Sequence, residues 1–179
     1  MRVITGKARG TRLTTLQGVA VRPTSEKVKE AIFSAIHFRL EGAKVLDLFA
    51  GSGQLGIEAL SRGAASAVFV DSSKASLDIV KKNLLATKLE GSAKVVLSDY
   101  SSYLLRSSET FDFAFLDPPY AAGLLEDAIN KTAKLMSNNG MIICEHPPEV
   151  TLPSLVSDFS IVKEYKYGKI SVTVYAKES

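Results

Sequence analysis

Four consecutive residues, Asp117-Pro118-Pro119-Tyr120, carry the most specific chemical signal in the chain. Pro118 has no N–H and biases Asp117 toward an extended conformation, so the backbone here is rigid. The Asp117 carboxylate and a nearby backbone carbonyl can therefore accept both hydrogens of the exocyclic amino group of a nucleobase, and Tyr120 can stack on the base. Two fixed acceptors would hold the amino nitrogen in line with an activated methyl group. The alternative is a proline-rich loop that follows a strand and exposes a tyrosine.

A glycine-rich turn earlier in the chain predicts a cofactor cradle. Lys44–Phe49 predicts a short apolar strand, Gly51-Ser52-Gly53 predicts a turn, and Gln54–Leu60 predicts the start of a helix. A strand that delivers such a turn to a helix N-terminus is typical of nucleotide-cofactor sites. The glycines suit this role because they lack a Cβ, which lets the backbone pass close to a ligand.

Two acids near this turn bear on the identity of the cofactor. Asp71 follows Gly51 by twenty residues and would hydrogen-bond a ribose hydroxyl, which NAD and S-adenosylmethionine both contain. Asp47 lies inside the strand, where its carboxylate would repel a pyrophosphate but would tolerate a cationic ligand such as a sulfonium amino acid. The two acids together predict an adenosine cofactor and favour S-adenosylmethionine.

Four of the five predicted strands of the main body are followed by an acid: Asp71, Asp99, Asp117 and Glu145. The carboxyl ends of the strands of an open α/β sheet form its ligand crevice, so we expect these carboxylates to line one site. The alternative is that each acid caps the helix that follows it. Capping could account for Asp71 and Asp99, but not for Asp117, which two prolines follow.

The hydrophobic pattern predicts a parallel α/β sheet covered by helices on both faces. The predicted strands are Lys44–Phe49, Ala67–Val70, Ala93–Leu97, Phe111–Leu116 and Met141–Cys144. Helices are predicted from Thr24 or Ser25 to Leu40 and near residues 54–62, 73–88, 100–106 and 124–137. Asn138-Asn139-Gly140 predicts a helix end and a turn before the fifth strand.

The two ends of the chain are predicted to differ from this repeating pattern. Phe159–Lys166 and Lys169–Lys177 predict two strands joined by Tyr167-Gly168, which must pair antiparallel because a parallel return needs a longer connection. Residues 2–22 predict a short hairpin followed by an irregular loop. We therefore expect one domain over 1–179, with a basic arm at 1–23 and a catalytic core at 24–179.

Positive charge is concentrated at the start of the chain. Residues 1–29 carry a net charge of +6, with seven basic residues and one acid, whereas the remaining 150 residues carry −3. A basic arm on a mildly acidic body suggests a polyanionic partner, although charge alone favours a solvated surface. The basic residues of this stretch are Arg2, Lys7, Arg9, Arg12, Arg22, Lys27 and Lys29.

Other bulk features predict a cytoplasmic protein. No apolar run approaches the roughly 20 residues that span a bilayer, and the N-terminus has no signal-peptide pattern. Cys144 is the single cysteine, so no internal disulfide can form. Because it lies in the apolar run Met141–Cys144, we expect a packed thiol rather than a nucleophile.

Together these motifs resemble the class I S-adenosylmethionine-dependent methyltransferases, and within them the bacterial 16S rRNA guanine-N2 methyltransferases of the RsmD type. The resemblance covers nearly the whole chain. It depends on Arg2–Gly6 with Ala8-Arg9-Gly10, on Arg22-Pro23-Thr24 leading into Val28–Phe33, on Asp47–Gly53, and on Asp117–Tyr120. The combination is more specific than Asp-Pro-Pro-Tyr alone, which also occurs in DNA adenine methyltransferases.

The resemblance implies a Rossmann-like sheet with strand order 3-2-1-4-5-7-6, strand 7 antiparallel, and direct in-line methyl transfer with no metal. It implies that the cofactor is bound by Asp47, Phe49, Gly51, Gly53, Asp71, Ser72, Asp99 and Tyr100. Asp117, Pro118, Pro119 and Tyr120 would hold a flipped guanine. The RNA would be bound by Arg2, Lys7, Arg9, Arg12 and Arg22. The partner would be 16S rRNA, in the small ribosomal subunit or its assembly intermediate, and the protein would act as a monomer.

Three alternatives remain open from the sequence. The first is an amino-methyltransferase with another substrate: DNA adenine, tRNA or a protein glutamine. The second is an NAD-binding oxidoreductase, which would leave Asp-Pro-Pro-Tyr without a role. The third is a non-catalytic RNA-binding module that keeps the fold.

Overall fold

The computed structural model describes residues 1–16, 25–119 and 123–177. The helices are α1 (Glu26–Ile36), α2 (Gln54–Ser61), α3 (Lys74–Thr87), α4 (Tyr100–Arg106) and α5 (Leu124–Ala133), with 3-10 turns at His37–Arg39 and Glu90–Ser92. The strands are β1 (Lys44–Leu48), β2 (Ser66–Asp71), β3 (Ala93–Leu97), β4 (Phe111–Leu116), β5 (Met136–His146), β6 (Leu155–Val156), β7 (Phe159–Tyr167) and β8 (Ile170–Lys177). No helix in these described ranges is long and apolar enough to cross a membrane.

The eight strands form one mixed sheet in the order β3-β2-β1-β4-β5-β8-β7-β6. Strands β1 to β5 are parallel to one another, and β8 pairs antiparallel with both β5 and β7. When the short strand β6 is left out of the count, β7 and β8 are the predicted strands 6 and 7. The predicted order and the antiparallel C-terminal hairpin are therefore confirmed. The two-residue strand β6 was not predicted; it only extends the edge beyond β7.

Helices cover both faces of the sheet, as its doubly buried strands require. Phe113 and Phe115 of β4 face a core that also contains residues of α1, α2 and α3. Ala114 and Leu116 face the opposite core, which α4 and α5 complete. Cys144 is buried in this second core, as predicted, and burial raises the pKa of its thiol.

The prediction of a turn at Asn138-Asn139-Gly140 is wrong. Helix α5 ends at Ala133, and β5 begins at Met136, so these three residues lie within the strand. Phe111 pairs with Met136 and Phe113 with Met141, so β5 carries a bulge of extra residues here. Pairing with β4 thus outweighs the local turn propensity, and the bulge absorbs the residues that would otherwise form the turn.

The N-terminal hairpin is short and packs along α2. Arg2 and Arg12 form its bridge, while the Lys7 N–H donates to the Ser61 carbonyl over 2.8 Å and the Ala8 N–H donates to Ser61 Oγ over 2.9 Å. These contacts hold the turn of the hairpin beside the last residue of α2. The arm is therefore docked on the body of the protein.

One member of the basic stretch is not part of any surface. Lys29 is fully buried, and its Nζ lies 3.3 Å from Glu58 Oε1 and donates to the Arg2 carbonyl over 3.1 Å. Glu58 also accepts from Arg62 Nε over 2.9 Å and from the N–H groups of Ile4 and Thr5. The grouping of Lys29 with the exposed basic arm is therefore wrong, because its charge joins α1, α2 and the arm internally.

Candidate active site

Asp117 lies at the carboxyl end of β4, on the face of the sheet that α1, α2 and α3 cover. The last pair of β4 with β5 joins Leu116 to Cys144, so Asp117 and Glu145 come next on adjacent strands. Asp117 and Pro118 are half-buried and Pro119 is exposed. Tyr120, predicted to stack on a base, lies outside the described residues. The first three residues of this motif therefore lie together at the end of β4, beside the carboxylate of Glu145.

A cavity of about 510 Å³ opens at this edge of the sheet. Asp117, Pro118, Pro119 and Glu145 form one part of its wall. Six residues predicted to contact the cofactor form another part: Phe49, Gly51, Asp71, Ser72, Asp99 and Tyr100. A volume of this size suits a nucleotide-sized ligand. The two motifs, separated by more than sixty residues in the sequence, therefore share one cavity.

Two predicted cofactor residues, Asp47 and Gly53, do not line this cavity. Asp47 is buried beneath the glycine turn, where its Oδ2 accepts a hydrogen bond from the Gly56 N–H over 2.9 Å. Burial is the main reason that the pKa of Asp47 is raised to about 8, with the nearby Asp71 charge adding to it. The structure thus gives Asp47 a supporting position, since it holds the first turn of α2 from below.

The backbone of the glycine turn adopts conformations that favour glycine. Gly51 and Gly53 have φ of +58° and +80°. Phe49 has a φ of +64° without being glycine, so the chain is strained just before the turn, as is common at functional sites. A Cβ on Gly56 would lie 2.4 Å from the Phe69 ring, so α2 packs closer to β2 than any other residue type would allow.

The carboxylate of Asp71 ties two loops together at the cavity wall. Its Oδ2 accepts from the Gly51 N–H and its Oδ1 from the Ser73 N–H, both over 2.9 Å. Asp99 instead caps α4, because it accepts from the Ser102 N–H over 2.8 Å, which lowers the pKa of its carboxyl. The capping alternative is thus correct for Asp99, whereas Ser73 rather than Asp71 caps α3. Both acids nevertheless line the cavity.

Gln54 is a candidate binding residue that the sequence reasoning missed. Its side chain lines the cavity, and its buried Oε1 has no hydrogen-bond partner among the described residues. A buried amide oxygen without a donor is costly, so this atom suits a ligand that brings an N–H group, such as an ammonium. Its place in the first turn after the glycines was the only signal that could have found it.

Two aromatic rings form the wall between β1 and α4. The ring centroids of Phe49 and Tyr100 lie 5.3 Å apart. The Tyr100 hydroxyl donates to Asp127 Oδ2 over 2.7 Å, which fixes the ring and raises the pKa of this tyrosine. Asp127 also forms an ion pair with Lys131 over 2.7 Å. A planar ligand would therefore meet a fixed aromatic surface here.

The pKa of Asp117 is shifted by its burial and by other carboxyls nearby. Burial raises its pKa well above the ordinary value, and the neighbouring charges of Glu145 and Asp47 raise it further. A carboxylate with a raised pKa is a stronger proton acceptor and hydrogen-bond acceptor than an exposed one. The site can thus bind a group that brings N–H donors and can accept a proton from it.

The predicted RNA-binding residues lie outside this cavity. Arg2, Lys7, Arg9 and Arg12 are all exposed on the N-terminal hairpin. Arg2 pairs with Glu26 at the start of α1, with Nε 3.4 Å from Oε1. Arg22 lies outside the described residues.

Comparison with known proteins places the chain in a family. A sequence model of the family described as "Conserved hypothetical protein 95" matches residues 1–176. The Bacillus subtilis protein "Putative rRNA methyltransferase YlbH" is 39% identical, over 99% of both chains. The Escherichia coli protein "Ribosomal RNA small subunit methyltransferase D" is 36% identical, over the whole of this chain and 91% of its own length.

Solved structures show the same fold. The Escherichia coli protein described as "Putative methyltransferase yhhF" superposes with a TM-score of 0.89 at 35% identity and covers 99% of this chain and 98% of its own. A putative methyltransferase crystallised with SAH, SMU.776, shares the fold at 18% identity and a TM-score of 0.69. On these matches the chain belongs to the conserved hypothetical protein 95 family, the methyltransferase family that includes ribosomal RNA small subunit methyltransferase D.

Proposed function

We propose that this protein uses S-adenosylmethionine to methylate the exocyclic N2 amino group of a guanine in small-subunit (16S) rRNA. The single observation that carries the proposal is the cavity shared by Asp117-Pro118-Pro119 and the glycine turn. One wall suits an amino group, and the other suits an adenosine cofactor. The names of the relatives support rRNA of the small subunit as the substrate class.

The residues around the glycine turn fit S-adenosylmethionine. Bound there, the cofactor would supply a methyl group activated by its positively charged sulfur. Asp71 and Asp99 would meet its ribose and adenine, next to the ring of Tyr100. The unpartnered Oε1 of Gln54 would accept a hydrogen bond from its ammonium group. Together with the nearby acids, this acceptor suits a positively charged ligand better than a pyrophosphate.

The residues at the end of β4 would prepare the guanine amino group. Because the guanine ring withdraws its lone pair, this nitrogen is a poor nucleophile. The Asp117 carboxylate and a backbone carbonyl of the Pro118-Pro119 segment would accept its two hydrogens and hold the nitrogen in one orientation. As the N–C bond forms and the C–S bond breaks, the nitrogen loses a proton. The raised pKa of Asp117 makes its carboxylate a suitable acceptor for this proton.

The substrate must bring the guanine out of its stack to reach this cavity, because the amino group is otherwise covered by base pairing. We propose that the basic N-terminal hairpin holds the surrounding phosphates, and that the protein acts as a monomer on the small subunit or its assembly intermediate. Binding should then weaken steeply with salt. An Arg9→Ala/Arg12→Ala variant that keeps the wild-type affinity and salt slope would overturn the role of the hairpin.

A methyl-transfer assay tests the proposal. Labelled S-adenosylmethionine is incubated with small ribosomal subunits lacking this modification, and the rRNA is digested to nucleosides. We expect label in N2-methylguanine of 16S rRNA with wild-type protein and none with Asp117→Ala. Label that appears instead in DNA, tRNA or protein would overturn the substrate assignment and keep the fold-level assignment.

A further inference from the structure

A second basic surface lies at the tip of the C-terminal hairpin, outside the N-terminal arm. We define the hairpin-tip surface as Lys27, Lys163, Tyr165, Tyr167 and Lys169. The rings of Tyr165 and Tyr167 stack with centroids 6.4 Å apart and an interplanar angle of 24°. Lys163 Nζ lies 5.2 Å from the Tyr165 centroid, and Lys27 Nζ lies 5.8 Å from the Tyr167 centroid. Helix α1 and strand β7 thus join in one aromatic and basic surface.

The strand register places this surface beside the proposed active site. Tyr165 pairs with Val172 of β8, and Val172 pairs with Glu145 of β5. Directly paired residues point to the same face, so Tyr165 and Glu145 share a face two strand spacings apart, about 10 Å. Tyr167 lies on the same face, further toward the hairpin tip, whereas Lys166 between the two tyrosines points to the opposite face. Because β7 runs in the same direction as β5, this tip projects at the edge of the sheet where the cavity opens.

The charges on this surface are available to a ligand. Lys27, Lys163 and Lys169 are exposed, and within the described ranges none of them forms an ion pair with a carboxylate. Glu164 is the single acid between Lys163 and Lys169. Ammonium groups next to half-buried tyrosines are the combination that single-stranded nucleic acids favour, since phosphates meet the cations and bases stack on the rings.

The N-terminal hairpin alone does not surround the cavity. Its turn is held at Ser61, the last residue of α2, and α2 runs away from the glycine turn for about 12 Å. Arg2, by contrast, reaches Glu26 next to Lys27. A basic band therefore continues from the bridge of the N-terminal hairpin, past the start of α1, to the hairpin-tip surface.

We infer that the hairpin-tip surface binds unpaired rRNA nucleotides flanking the target guanine, with the lysines on phosphates and the tyrosines against a base. This inference rests on the proposed function, because it presumes an RNA whose target base enters the neighbouring cavity. The surface holds the strand on the β8 side of the cavity. The N-terminal hairpin extends this contact past the start of α1, where Arg2 lies beside Glu26.

The test compares two triple variants with equal loss of charge. Lys27→Ala/Lys163→Ala/Lys169→Ala removes cations from the surface, and Lys81→Ala/Lys82→Ala/Lys134→Ala removes three exposed cations elsewhere. Affinity for protein-free 16S rRNA is measured from low to moderate salt. We expect the first variant to bind at least tenfold more weakly at low salt. The slope of log affinity against log salt concentration should be shallower by about two, because each lost phosphate contact removes roughly 0.7 from it. The control should keep the wild-type slope.

Two further measurements separate this inference from the proposed function. In the methyl-transfer assay the first variant should raise the KM for RNA and leave kcat and cofactor affinity unchanged. Ultraviolet cross-linking of wild-type protein to the rRNA should map to Tyr165 or Tyr167, and Tyr165→Leu/Tyr167→Leu should lose these cross-links while its melting temperature reports an intact fold.

Equal salt slopes for the two triple variants would overturn the surface assignment, whether or not the wild type methylates the rRNA. A wild-type protein that binds rRNA without methylating it would overturn the proposed function instead, while the slopes would still decide the surface. Wild-type protein that binds no rRNA at all would overturn both.

Discussion

Asp117 and Glu145 stand side by side at the carboxyl ends of the neighbouring parallel strands β4 and β5. Each immediately follows the last pair of these strands, Leu116 with Cys144, and both line the cavity. Burial and the charge of Glu145 raise the pKa of Asp117. The chain thus places two carboxyls where like charges repel, which is the arrangement that keeps one of them ready to hold or accept a proton.

Glu145→Gln should lower the pKa of Asp117, because it removes a neighbouring negative charge. Asp117 must be ionised to accept the two amino hydrogens, so activity is lost as pH falls through its pKa. The acidic limb of the pH profile of kcat/KM should therefore move to lower pH in this variant. Glu149→Gln, which changes an exposed acid four residues away, serves as the control and should leave the limb in place. An unmoved limb in Glu145→Gln would show that the two carboxyls do not interact.

Asp47 should make the stability of the free protein depend on pH. Its pKa is raised to about 8 in the folded state, against an unfolded value of about 4. Between these values the folded protein holds a proton that the unfolded chain releases, so the free energy of unfolding falls as pH rises through this window. Asp47→Asn should remove this dependence, so its free energy of unfolding should rise relative to that of the wild type by roughly a few kcal/mol between pH 4.5 and 8.5. Urea unfolding that gives the same change in the free energy of unfolding between these two pH values for the wild type and the variant would contradict this.

Glu58→Gln should strongly destabilise the fold. The substitution keeps the shape but leaves the buried ammonium of Lys29 without its counter-charge, and it weakens the contacts of Arg62 and the N-terminal arm. Removing one partner of a buried pair costs about 3–5 kcal/mol. Asp78→Asn removes the exposed pair with Lys74 and should cost at most about 1 kcal/mol. Similar losses in the two variants, measured by denaturant unfolding, would contradict the internal role of Lys29.

Gly56→Ala should destabilise the protein by about 1–3 kcal/mol, because the new methyl group would overpack against Phe69. Cofactor affinity should fall with it, since α2 carries the glycine turn. Gly91→Ala has open space around its new Cβ and should be close to neutral. Phe69→Leu should restore part of the loss in the Gly56→Ala background. No coupling between the two sites in this double-mutant cycle would rule out the steric cause.

Much of the sheet was predictable from local pattern. The runs at β3 and β4 begin and end where the sequence pattern places them. The C-terminal hairpin followed from chain length alone, because so short a connection permits only antiparallel pairing. The clustering of acids at one edge followed from the parallel arrangement. The strand order came from the family resemblance.

The features that the sequence did not predict depend on contacts between distant parts of the chain. Lys29 shares the buried face of α1 with Ile32 and Ile36, and only Glu58, twenty-nine residues later, explains how a charged residue is accommodated there. The bulge in β5 arises from pairing with β4, which no local turn signal reveals. Gln54 carries no motif of its own, and its unpartnered oxygen is visible only once the cavity is formed.

Methyl transfer to small ribosomal subunits is the most direct test of the central claim. Wild-type protein and Asp117→Ala are compared at equal cofactor saturation, with cofactor affinity measured separately by calorimetry. The account predicts N2-methylguanine in 16S rRNA for the wild type, a rate at least about 100-fold lower for the variant, and cofactor affinity unchanged within a few-fold. Wild-type protein that binds the cofactor but leaves 16S rRNA unlabelled, or an Asp117→Ala variant that methylates at the wild-type rate, would contradict it.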